Sequence, residues 1–207
     1  MNKTIKITIL IMVGLIIAIL LFLVFSNRTV ENTIQTNLNI NKVEDLEALV
    51  DQIYDGVSIE MPSVMTQRID INDADAVKSF TGLDNSENIE YAVVSEPMMS
   101  SQAYSLVLVK TKEGTDSNEM AKLINENVDE RKWICVSAEK IYTTTSGNVI
   151  CLVMTNENTA NTIFESFKTL AGTIGTVYER AEEVAEMPED IIYEDNQEIY
   201  TENILSE

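Results

Sequence analysis

Ser105-Leu106-Val107-Leu108-Val109 decides the fold. Its apolar residues run without a polar interruption, which predicts a β-strand buried on both faces rather than one alternating between core and water. Working outward, Ile89–Ser95 is a second β-prone stretch, centred on Tyr91-Ala92-Val93-Val94. Asp116 and Glu119 then open a helix with Met120, Leu123 and Ile124 on one side. The same order returns further along. Trp133-Ile134-Cys135-Val136 reads as a strand, Lys140–Thr145 is β-prone, and Asn148–Met154 is again apolar and β-branched. Asn158 or Thr159 is a cap for a helix carrying Ile163, Phe164, Phe167 and Leu170, with Gly172 as its stop.

The two halves match weakly as an internal repeat. Val94-Ser95 aligns with Val136-Ser137, and Leu106–Val109 with Ile150–Val153. Chance likeness between any two ββα segments is the alternative. Two such units give an α+β domain, one antiparallel sheet on a ββαββα core with helices packed on one face. Upstream, Asn41 with Glu44 has capping-box spacing. Val43, Leu46, Val50, Ile53 and Val57 then follow a helical period to a stop near Gly56. Val64–Ile71 reads as a short strand, and Asn72 as the cap of a short helix through Phe80 that ends at Gly82.

Ile7 to Asn27 is a different kind of segment, 21 residues without a charge. As a helix it is about 31 Å long, the thickness of a bilayer's hydrocarbon core. Lys3 and Lys6 precede it, which predicts a cytoplasmic N-terminus and an extracytoplasmic body. A cleaved signal peptide is the rival, but the run is long for one and lacks an A-x-A exit. The expected organisation is a cytoplasmic start and transmembrane signal anchor over 1–28, a polar tether over 29–40, the domain over 41–175, and an acidic helix with a disordered tail over 176–207. Val177, Ala181 and Val184 would line that last helix.

Charge excludes whole classes of partner. The chain holds 34 acidic and 14 basic residues in 207, a net charge of -20. After Arg28 the remaining 179 residues hold 34 acidic and 11 basic ones, a net of -23. Such a body repels nucleic acid, which is therefore no expected partner. The chain contains no His. Ser-His-Asp triads, Cys-His pairs and His-ligated metals are accordingly ruled out within it.

The remaining candidates are few. Cys135 and Cys151 lie in apolar runs and read as buried free thiols, with a disulfide between them as the alternative. Asp70, Asp73 and Asp75 lack the spacing and glycine of a calcium loop and suit a helix N-terminus instead. Paired carboxylates of a glycoside hydrolase are not selected by any motif among so many acids. No catalytic residue, metal ligand or cofactor is expected. The surface feature that stands out is Glu96-Pro97-Met98-Met99, two adjacent methionines suited either to partner recognition or to plugging the end of the core.

Ala92–Val109, with its Glu96-Pro97-Met98-Met99 stretch, resembles a domain of unknown function from exported, membrane- or lipid-anchored proteins of Gram-positive anaerobes. So do Arg131–Val136 and Ser146–Ile150. The resemblance spans roughly Val43 to Ala171. It implies an exported α/β domain and transfers no functional residue. Unlike many such proteins, this chain has no acylatable Cys directly after its apolar run. The expectation is a membrane-anchored extracytoplasmic interaction module, held in the bilayer through 7–27, whose partner is an envelope protein or peptide. A carboxylate-based envelope hydrolase and a wall-spanning structural spacer are the competing readings.

Overall fold

The computed structural model describes residues 38–99 and 101–181. Their elements run α1 (Val43–Asp55), β1 (Val64–Arg68), α2 (Ala74–Thr81), β2 (Ile89–Pro97), β3 (Ser105–Thr111), α3 (Ser117–Asn127), β4 (Lys140–Ser146), β5 (Val149–Thr155), α4 (Glu157–Ala171) and β6 (Tyr178–Ala181). The strands form one antiparallel sheet in the order β1-β2-β3-β5-β4-β6.

Every residue of β3 and β5 is buried, as the unbroken apolar run predicts. That burial demands cover on both sides, so the expectation of helices on one face is wrong. On the first face α1 and α4 pack Leu46, Val50, Ile53, Ile163 and Phe167 against Val93, Leu106, Leu108, Cys151 and Val153. On the second face α2 and α3 pack Val77, Met120, Ala121 and Ile124 against Val94, Val107, Val109, Ile150 and Leu152. The molecule is a three-layer α+β sandwich.

Strand register also corrects the repeat. Val107 opposes Leu152, 45 residues on, and Leu108 opposes Cys151, 43 residues on. A two-fold axis through such a pair relates residues by an odd offset, because opposed residues share a face. The even offset of 44 sets Leu106, on the first face, against Ile150, on the second. Helices α3 and α4 accordingly lie on opposite faces, and the two ββα units have opposite hands. The expected strand at Trp133–Val136 is irregular chain, and its place is taken by β4.

Local chemistry sets the helix ends. Asp73, rather than Asn72, caps α2, its carboxylate accepting the amides of Asp75 and Ala76. Asp116 does the same for α3 and Asn156 for α4. At α1 the carboxylate of Asp45 accepts the amides of Asn41 and Lys42. Gly82 is left-handed at φ 72, and a Cβ there would meet the Asn127–Val128 backbone at 2.5 Å. Gly56 is needed for proximity instead. A Cβ would stand 2.4 Å from Ser166 Oγ, which donates to Ile53 O and ties α4 to the end of α1.

At the C-terminal side, Tyr178–Ala181 is a strand beside β4, so the expected helix over that stretch is wrong and the sheet extends past residue 175. Thr144 and Ser146 donate hydroxyls to the carbonyls of Thr176 and Thr173, steering the chain into that edge. No helix among the described residues is long and apolar enough to cross a membrane. The expected anchor at 7–27, most of the tether and the tail beyond Ala181 lie outside the described residues.

Candidate functional site

The sheet end where β2 stops carries the predicted tetrad, and the structure splits it in two. Glu96 and Pro97 are the last residues of β2, paired with Met65 and Val64 of β1. Pro97 has no amide to continue the ladder, and the chain leaves the sheet there. Met98 and Met99 lie beyond it, 82% and 66% exposed. They do not plug the core.

Glu96 turns inward on the second face and meets a group 36 residues on that no motif or spacing connects to it. Lys132, from the irregular chain between α3 and β4, places its ammonium 2.5 Å from Glu96 Oε1. It also donates to Ser105 Oγ at 3.2 Å. The same ammonium lies 5.0 Å from the Phe80 ring centre and 5.2 Å from that of Trp133. Burial pulls the Lys132 pKa below the ordinary lysine value, and Glu96 opposes the shift. The only Trp of the chain is partly buried against the second-face core and lies beside this cation. Met65, 50% exposed, stands across from Glu96, and Ile134, 67% exposed, follows two residues after Lys132. A buried ion pair thus underlies a surface of isolated apolar side chains.

The other candidates have structural work. Asp70 accepts the Asn72 amide and Asp73 caps α2, while Asp75 lies in the first turn of that helix. No group of three metal-ligating side chains occurs among the described residues. A surface depression of about 510 Å³ between α2 and α3 is lined by Asp84, Asp116 and Glu119. Asp84 is ion-paired with Lys78 at 2.8 Å, and Asp116 is committed to its cap. A second depression of about 510 Å³ beside Tyr104 holds Glu60 and Glu139. Glu139 accepts the Glu157 amide at the start of α4. The thiols are separate and free. Cys151 is buried on the first face opposite Thr144 and Leu108, whereas Cys135 is exposed with φ 60, against the expectation that both are buried.

Comparison of the chain with protein-family models, curated proteins and solved structures found no match.

Proposed function

We propose that the protein is a membrane-tethered extracytoplasmic interaction module of the cell envelope, with the apolar run at 7–27 as its anchor. The Met98–Met99 segment is its partner-binding element. The observation that carries this reading is the outward display of two adjacent methionines on a rigid base. Glu96 is fixed by Lys132 immediately before them, so the flexible apolar pair projects from an ordered strand end.

The test is in-cell photo-crosslinking from position 98 or 99 in the full chain, with a crosslinker at exposed Leu123 as control. The expected result is capture of one envelope protein or peptide from the methionine positions and not from 123. Recovery of lipid alone, or of the same products from all positions, overturns the reading. Met98→Ser with Met99→Ser is expected to abolish capture while leaving thermal unfolding unchanged.

A further inference from the structure

The sheet has two edges, and they are guarded differently. β6 is four residues long and carries Glu179 and Arg180. Glu179 is ion-paired with Lys140 and Arg180 with Glu130. β1 is five residues long, and its centre, Met65-Thr66-Gln67, has neither charge nor proline. Short edges, charges and prolines are the usual devices that prevent a further strand from adding, and the centre of β1 lacks the last two.

Register shows which groups β1 offers. Ile69 donates its amide to Ala92 O of β2 at 2.9 Å. By alternation, Met65 and Gln67 also point their backbone groups toward β2, and Val64, Thr66 and Arg68 point theirs away. Among the described residues no strand occupies that outer side. Its flanks have a definite character. Arg68 reaches onto α1, where Glu47 accepts from it at 2.7 and 3.0 Å and Glu44 at 2.9 Å. Asp51, one turn on from Glu47, lies on the same side of α1. Three carboxylates against one guanidinium leave this flank negative. On the opposite flank stand half-exposed Met65 and Gln67.

We propose that the outer edge of β1 accepts an extended, lysine- or arginine-bearing peptide segment as a seventh, antiparallel strand. Backbone hydrogen bonds form with Val64, Thr66 and Arg68. Alternate side chains of the segment meet the α1 carboxylates on one flank and Met65 on the other, the recognition mode of β-strand addition. Charge argues against a second copy as occupant, since residues 38–181 hold 23 acidic and 11 basic residues and two such bodies repel. The outer edge of β1 adjoins the Met98–Met99 pair through Val64, which is paired with Pro97, but the proposal uses neither methionine and stands whether or not those residues capture a partner.

The experiment uses the full chain in lipid nanodiscs, an alternating Lys/Val heptapeptide and its Glu/Val counterpart. Amide hydrogen exchange is expected to slow at Val64, Thr66 and Arg68 with the Lys/Val peptide and not with the Glu/Val one. Thr66→Pro removes an outward amide and leaves the bonds to β2, so it is expected to weaken binding roughly tenfold, the worth of about one hydrogen bond. Should that variant fail to fold, a Lys/Val peptide N-methylated at alternate residues is tested on the unaltered chain and is expected not to bind. Three results overturn the proposal: no binding of the Lys/Val peptide, equal binding of both peptides, or retained binding by Thr66→Pro or the N-methylated peptide. Protection of the three amides before any peptide is added also overturns it, because the edge is then already occupied by this chain or a second copy.

Discussion

The two faces of the sheet are stabilised by different means. On the first face α1 and α4 close a mainly apolar layer, with Tyr104 donating to the Tyr54 hydroxyl at 3.0 Å and Ser166 Oγ donating to Ile53 O at 2.7 Å among its polar contacts. On the second face the cover is threaded with polar side chains. Asn125 donates to Thr143 Oγ1 at 3.1 Å, Thr145 donates to Asn118 Oδ1 at 2.9 Å, and the hydroxyls of Thr111 and Ser117 lie 2.8 Å apart. Lys132 and Glu96 complete it. Apolar contact is non-directional and tolerates sliding, whereas each polar pair is satisfied in one register only. Both faces bury an apolar cluster, and the polar pairs of the second also fix where α3 and the α3–β4 connection sit. The exposed methionines adjoin the second kind of structure.

The largest effect is expected on the first face. Phe167 is fully buried between α4 and the sheet. Phe167→Ala should cost about 3–5 kcal/mol, through lost transfer energy and a cavity the helices cannot collapse. Denaturant unfolding followed by circular dichroism measures it. A cost under 1 kcal/mol would mean that this face is loosely packed and the contrast false.

Next comes the ion pair of the second face. Lys132→Met leaves the Glu96 carboxylate facing Phe80 and Trp133 without its cation, at a cost of about 2–3 kcal/mol. The Glu96 side chain keeps a fifth of its surface in water, which places the loss below that of a fully buried pair. Adding Glu96→Leu should recover most of the stability, because a matched apolar pair avoids the desolvation of both charges. The double variant is also expected to lose capture at Met98 and Met99, which separates positioning from mere stability.

These contrasts show what the sequence could reveal. Burial of β3 on both faces was legible in Ser105–Val109, because an unbroken apolar run has only one economical environment. The side to which each helix folds was not, since both helices carry a single apolar stripe that fits either face. The false strand at Trp133–Val136 has the composition of a strand, but Lys132 and Trp133 are drawn toward Glu96 and Phe80 by contacts distant in sequence. Exposure of Met98 and Met99 was open on sequence because methionine suits core and surface alike. Capping residues were readable to within two positions, the usual consequence of several short polar residues competing for one helix start.

A smaller effect tests the polar mesh. Asn125 is buried and spans α3 to β4, with a second contact from its amide to Tyr178 O at 3.4 Å. Asn125→Ala strands the Thr143 hydroxyl and should cost about 1–3 kcal/mol. Faster hydrogen exchange is expected in β4 and β6 and not in β1 or β2. Uniform loosening of the whole sheet would show that the mesh does not act locally.

The smallest effect separates the faces by pH. Burial raises the pKa of Cys151, Tyr54 and Tyr104, all on the first face. A group raised on folding keeps its proton in the native state while the unfolded chain releases it, so its contribution is intact below the unfolded pKa and is lost as pH rises. Cys151 should begin to subtract stability above pH about 8.5 and the tyrosines above about 10. Lys132, on the second face, has the opposite sign. Its depressed pKa means the unfolded chain binds the extra proton, so that penalty fades as pH climbs toward about 10.4. The net slope of the unaltered chain mixes the two, and only a difference between variants resolves them. Cys151→Val should flatten the fall between pH 8 and 9, where the thiol accounts for less than about 1 kcal/mol. Lys132→Met should steepen the fall at higher pH. Identical pH profiles for both variants would show that the two faces do not titrate independently.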